Sequence, residues 1–346
     1  MSNHKLRTTV AAAVAVTTLT FVSACSSSSG SNGSGGSTDG VGKIGVSTPV
    51  ASTPFWDAFS SAIAKDGKTQ KLDLLSVVNA NNQAGKQVSD IQTMLTQGAK
   101  GIVLSPVDSG AISATLNTLA SKKIPVVAVN DAPTSGKVAI VVQADNTAYG
   151  ADQCEAMVKA GITSGSVVNI QGDQSNVAGR QRSAGFEDCM KQKAPTVKVL
   201  RVATKWDAQS ATNGLQTLLS ANPDIKGVAM AAGGAFLPAV MSVLQNKGLL
   251  VKRGDPKHVF LTSIDGIELE YKAISDGYED TVVAQPVEDY AKYGLEYIVK
   301  AMKGESFKAG PTDHSSTITE ANGYLLDQLP AKIITKDNLS SVYTGS

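Results

Sequence analysis

Apolar residues along this chain follow two rhythms that take turns. Runs such as Gly101-Ile102-Val103-Leu104 and Ile124-Pro125-Val126-Val127-Ala128-Val129 are nearly continuous. That is the pattern of strands buried on both faces of a sheet. Between such runs, apolar residues recur three and four apart: Phe55, Phe59 and Ile63, then Val88, Ile91 and Leu95, then Ile112, Leu116 and Leu119. That spacing gathers them on one side of a helix. The pattern predicts strands at 43–47, 72–78, 101–104, 125–129 and 138–142, with helices at 55–65, 82–97 and 110–120. The rhythm then restarts. Helices at 149–160, 177–192, 207–220, 236–246 and 269–277 alternate with strands at 166–170, 197–203, 225–231, 259–264 and 281–284. A long helix at 287–303 follows.

This alternation implies an α/β fold, with parallel sheets covered by helices on both faces. The run is too long for one six-stranded sheet, so two similar lobes are expected. The break falls near Gln143-Ala144-Asp145-Asn146. Open sheets of this kind bind ligands outside the carboxyl ends of their strands. Phe55 and Trp56 stand at that end of the first strand. Two adjacent aromatics there suit a contact surface for a ligand, although Phe55 also fits the core face of its helix.

Charge and composition exclude several functions. The chain carries 31 basic and 30 acidic residues, so nothing electrostatic draws it to nucleic acid or to an anionic membrane surface. His4, His258 and His314 are scattered, and no Cys/His/Asp cluster has metal spacing. No G-x-G-x-x-G follows a strand, so neither metal nor nucleotide cofactor is expected. No paired acid and base suggests catalysis.

The N-terminus reads as a targeting segment. Lys5 and Arg7 precede an apolar stretch at 8–22 that is too short for a membrane span. Val22-Ser23-Ala24-Cys25 resembles a bacterial lipobox, in which cleavage precedes the cysteine and Cys25 is lipidated. Ordinary secretory cleavage after Ala24 is the alternative. Residues 26–42 are a Ser/Gly tether suited to joining an anchor to a folded body. Export implies an oxidising compartment, which makes Cys154 and Cys189 a disulfide candidate; two buried thiols are the alternative.

From Lys43 to about Lys303 the chain resembles the type I periplasmic sugar-binding proteins, the ribose- and galactose-binding group that feeds ABC importers. The resemblance rests on Thr53-Pro54-Phe55-Trp56, residues 101–108 (GIVLSPVD), residues 124–130 (IPVVAVN), residues 179–186 (GRQRSAGF) and Ser263-Ile264-Asp265-Gly266, in that order and spacing. The tail, with Leu329-Pro330 and residues 334–338 (ITKDN), is more similar to the rhamnose-binding and autoinducer-2-binding branch. The resemblance implies two Rossmann-like lobes joined by three crossings. It places one lobe at 41–144 plus 286–312 and the other at 145–285 plus 313–346.

Sugars offer hydroxyls at their edges and C–H groups on their faces. A site for them needs flat aromatics and planar polar side chains. The resemblance makes Phe55 and Trp56 the aromatic pair of the first lobe and Trp206 the aromatic of the second. Trp206 fits a helix-start cap as well. Arg180 matches the cleft arginine, whose donors fork onto adjacent hydroxyls, whereas Arg182 is expected on the surface. Asp265 is a hydroxyl acceptor or a helix cap, and Gln285 a ligand amide. Two departures stand out. Asn130-Asp131 replaces an Asp-Arg pair, where Asn130 can still donate to and accept from a ligand and Asp131 faces either ligand or solvent, and Ala232-Gly233-Gly234 replaces Asn-Asp. Both argue against plain D-ribose and leave pentoses, deoxysugars, polyols and furanose-like diols.

The expectation is a monomeric receptor, anchored by lipid outside the cytoplasmic membrane. It would deliver a monosaccharide or polyol to an ABC permease and its ATPase, without cofactor or enzymatic activity. The alternative is a signalling receptor that presents a sugar-like or autoinducer-2-like ligand to a membrane sensor. A repressor's effector domain shares the fold, but export argues against it.

Overall fold

The computed structural model describes residues 40–50 and 53–344. Cys25, the targeting segment and nearly all of the tether lie outside them. The apolar runs become strands as the pattern requires: β1 (Lys43–Thr48), β2 (Val78–Asn79), β3 (Ala99–Leu104), β4 (Val126–Val129) and β5 (Ile140–Ala144). They alternate with α1 (Pro54–Thr69), α2 (Ala84–Thr96) and α3 (Ser113–Ser121). The chain then passes into a second sheet with β6 (Ser166–Gln171), β7 (Lys198–Ala203), β8 (Ile225–Met230), β9 (Phe260–Asp265) and β10 (Thr281–Ala284). Its helices are α4 (Asn146–Lys159), α5 (Val177–Lys193), α6 (Ala208–Ala221), α7 (Gly233–Asn246) and α8 (Glu268–Asp276).

After β10 the chain returns. Helix α9 (Val287–Met302) packs on α1 and against β3, β4 and β5. Strands β11 (Gly310–Pro311), β12 (Thr317–Ala321) and β13 (Tyr324–Leu329) extend the first sheet beyond β5. A third crossing at Pro330 and Ala331 leads to β14 (Lys332–Thr335) on the edge of the second sheet. The result is the expected pair of Rossmann-like lobes with three crossings.

Three details differ from the sequence expectation. The boundary expected at residue 312 lies near 330, because β13 pairs with β5 in the first sheet. The sheets are mixed at their edges: β12 runs antiparallel to β11 and β13, and β14 antiparallel to β10. The strand expected at 72–78 shrinks to Val78–Asn79 plus a bridge between Leu74 and Ile44. As the outermost strand it pairs on one side only, and the residues before it are held by isolated backbone bonds, Leu75 N to the Ile44 carbonyl and Leu72 N to the Gly67 carbonyl, and by the packing of Leu72, Leu74 and Leu75.

Helices α4 and α5 lie against each other backbone to backbone. A Cβ on Gly150 would sit 2.0 Å from the Arg182 carbonyl oxygen, and one on Gly185 would sit 2.0 Å from the Thr147 carbonyl oxygen. One turn farther along each helix, Cys154 and Cys189 form a disulfide. Glycines and disulfide together fix α5, and so the residues at its start, against the second lobe. Among the described residues no helix is long and apolar enough to cross a membrane.

Candidate functional site

The carboxyl ends of both sheets face one cleft. Its walls come from the turns that follow β1, β2, β3, β4, β7, β8, β9 and β10 and from the starts of α1 and α5. The space between the atoms, open mouth included, is about 560 Å³, within the range of small-molecule pockets.

On the first lobe, the Thr53 side chain caps α1 by accepting from Trp56 N, and Pro54 begins the helix. This presents Phe55 and Trp56 to the cleft. Their rings meet edge to face at 5.1 Å, and Trp56 meets Phe59 at 5.5 Å. Both rings line the cavity and both belong to the core cluster, so Phe55 is a core residue and a wall of the cleft at once.

On the second lobe, Trp206 takes a left-handed backbone conformation (φ 63°) after β7. Its ring lies parallel to Phe236 (11°, centroids 6.3 Å apart) and close over Gly172. A Cβ at 172 would fall 2.0 Å from the ring, so only glycine leaves room for it.

The polar floor is one connected network. Gln285 Oε1 accepts from Asn130 Nδ2 at 2.8 Å and from Arg182 Nη2 at 2.9 Å. Gln285 Nε2 donates to Asp265 Oδ1 at 2.8 Å, and Asp265 Oδ2 accepts from Gly234 N at 2.8 Å. Arg182 also donates through Nε to Asn146 Oδ1 and through Nη1 to the Ala231 carbonyl. The network therefore spans the first lobe, a crossing and the second lobe. Burial pushes the Asp265 carboxyl up, and the Arg182 guanidinium opposes that rise. Asp131 is pushed up to about 7 by burial, against the backbone N–H groups of Ala178 and Ala132 and the charges of Arg182 and Arg180.

The arginine expectation is reversed. Arg180 is exposed, donates to the Gln174 carbonyl and lies outside the cavity lining. Arg182 is only 4% exposed and lines the cavity. The reason lies in α5's own period. Ala178, Arg182, Phe186 and Cys189 follow at four, four and three, so Arg182 shares the buried stripe and Arg180 the opposite face.

Phe55, Trp56, Asn130, Asp131, Trp206, Asp265 and Gln285 do line the cavity. Asn82, Ser105 and Asn176 line it as well and were not anticipated. Each sits where a strand gives way to a helix, a position that the hydrophobic rhythm already marked. Gly233 explains one departure: a Cβ there would sit 1.8 Å from Glu270 Oε1, so the position admits no side chain. The Gly234 N–H serves Asp265 from the backbone instead. Among the described residues no cluster of three or more His, Cys, Asp or Glu could hold a metal.

A family described as periplasmic binding protein domain matches residues 44–306. The chain belongs to that family. This binding protein is 28% identical over 258 residues to the ribose import binding protein of Bacillus subtilis, covering 73% of this chain and 79% of that one. It is 28% identical over 246 residues to the xylitol-binding protein of Mycolicibacterium smegmatis, covering 70% and 68%. Among solved structures it is similar to an ABC transporter solute binding protein from Mycobacterium smegmatis with bound glycerol. That match has a TM-score of 0.76 and 25% identity, and covers 88% of this chain and 98% of the other.

Proposed function

We propose that this protein captures a neutral monosaccharide or polyol in the cleft and delivers it to an ABC permease driven by a separate ATPase. It does so as a monomer held outside the cytoplasmic membrane by lipid on Cys25. The observation that carries the reading is the Asn130–Gln285–Asp265 network, fed by Arg182 and flanked by Phe55, Trp56 and Trp206. Planar donors and acceptors of both kinds suit hydroxyl groups, and aromatic faces suit C–H groups. The positive charge of Arg182 lies beside the Asp265 carboxyl, which favours an uncharged ligand. A ligand touching both lobes stabilises the closed form, because only such contacts differ between open and closed states. The relatives that bind ribose, xylitol and glycerol support the class.

The test is a thermal-shift screen against pentoses, hexoses, deoxysugars and polyols, followed by calorimetry. One or two related compounds are expected to raise the melting point, by about 2.7 kcal/mol of stability at a hundredfold excess over Kd. The absence of any hit, with no sugar or polyol co-purified by mass spectrometry, would overturn the reading.

A further inference from the structure

The start of α5 is held by the opposite lobe. The first N–H groups of a helix have no partner within it. In α5, Asn176 Oδ1 accepts from Gly179 N at 2.8 Å. The two N–H groups before it are satisfied across the cleft. Val177 N donates to Ser109 Oγ at 3.0 Å, and Ala178 N donates to Asp131 Oδ1 at 3.0 Å. Ser109 and Asp131 belong to the first lobe, in the turns after β3 and β4.

These acceptors are built as a unit. Ser109 Oγ donates to Asp131 Oδ2 at 3.4 Å while it accepts from Val177. The Ser109 carbonyl accepts from Thr134 N at 2.7 Å and from Thr134 Oγ1 at 3.2 Å, which ties the two first-lobe turns together. Asp131 Oδ1 also accepts from Ala132 N at 2.9 Å. Ser109 is fully buried and is not part of the cavity lining.

We propose that Ser109 and Asp131 form a latch that supplies part of the closing energy of the lobes, with Ser109, which lies outside the cavity lining, setting ligand affinity only by positioning α5. This rests on the solute-binding reading. Opening the cleft breaks both bonds and returns two helix N–H groups and two acceptors to water. Helix α5 carries Arg182 and is capped by Asn176, so seating its start seats two cleft side chains at once.

Two substitutions attack the latch from opposite sides. Ser109→Ala removes the acceptor. Val177→Pro removes the donor at the first helical position, where proline is tolerated; Asn176 before it is already extended (φ −106°, ψ 159°), as a residue preceding proline must be. For each variant, the ligand found by screening should bind about fivefold or more weakly, the scale of one buried hydrogen bond. The loss should appear as faster release at nearly unchanged association rate, since the latch forms only after encounter. Small-angle scattering of the ligand-free variants should show a larger radius of gyration than wild type, and this readout needs no ligand. Unchanged scattering and unchanged release in both variants would overturn the latch. A wild-type protein that binds no sugar or polyol while Ser109→Ala still opens it would overturn the proposed function and leave the latch standing.

Discussion

Arg182 and Gln285 meet through one oxygen: Arg182 Nη2 donates to Gln285 Oε1 at 2.9 Å, and Asn130 Nδ2 reaches the same atom at 2.8 Å. Two donors on the carbonyl oxygen settle which way the amide points. Its Nε2 must face Asp265, leaving that carboxyl with lone pairs for a ligand hydroxyl.

Arg182→Ala should therefore do more than delete one contact. It takes a donor from Asn146 Oδ1, the Ala231 carbonyl and Gln285 Oε1 and removes the positive charge that opposes the rise at Asp265. Leaving buried acceptors unpaired costs about 1–3 kcal/mol each, so both binding and the apo melting point should fall. Arg182→Lys keeps the charge but loses the fork, and binding should weaken by about a hundredfold. Arg180→Ala, on the exposed face, should leave Kd within about twofold. Calorimetry and melting curves on the three variants check this. A large loss in Arg180→Ala with none in Arg182→Lys would reverse the assignment.

The two tryptophans should separate. Trp56 is packed on Phe55 and Phe59 within the core, and its truncation should lower the apo melting point as well as affinity, by about 3–5 kcal/mol of stability. Trp206 is half-buried at the cleft edge. Trp206→Ala should weaken binding by about tenfold or more, with a smaller change in melting point. Parallel scans of ligand-free and ligand-bound protein distinguish the two.

The Cys154–Cys189 disulfide spans 35 residues. The chain-entropy account gives it about 4 kcal/mol, so reduction should lower the melting temperature by several degrees. Gly150 and Gly185 keep α4 and α5 in contact without it. Affinity of the reduced protein at 25 °C should therefore stay within about threefold of the oxidised protein, since distant sites contribute nearly independently. Titration before and after mild reductant, with thiol counting, is the check.

Stability should fall as pH rises from about 4 to about 7. Asp131 holds its proton up to about 7 in the folded chain, against 3.8 for the free side chain. Across that window the unfolded chain binds fewer protons, so the stabilisation is full below 3.8 and lost as pH passes through about 7. Arg182 and Arg180 face the group and oppose the rise, but burial outweighs them. Burial and then the neighbouring Asp265 also push Glu270 up, which extends the decline in the same direction. Melting temperature against pH should therefore slope downward, and Asp131→Asn should flatten it below pH 7. An upward slope removed by the same substitution would mean that Asp131 is ionised throughout.

Much of this was legible in the sequence. The rhythm of apolar runs located the nine long helices now seen among the described residues, and the turns after the strands located most of the cleft. Arg182 was legible too: its four-residue spacing from Ala178 and Phe186 marks the buried stripe, and a charged residue on that stripe should have signalled a buried partner. The tail hairpin had its own sign in Asn322-Gly323, whose backbone angles (φ 53° and 80°) suit a tight two-residue turn. What the sequence could not show were contacts between distant segments. The collision of a Gly233 side chain with Glu270 depends on how two helices of one lobe pack, and the reach of Val177 N to Ser109 Oγ on how the two lobes meet.

The third crossing has a consequence for how the chain folds. Helix α9 covers α1 and three strands of the first sheet, and β13 supplies the outer partner of β5. The first lobe is therefore assembled from both ends of the folded body, while the second is nearly continuous from α4 to β10. A polypeptide released progressively must leave the β5 edge open until residues 324–329 arrive. The continuous lobe can nucleate first, with the interrupted one completing around it. Non-local closure of this kind is slow, so the edge of β5 is the last part of the first sheet to be covered.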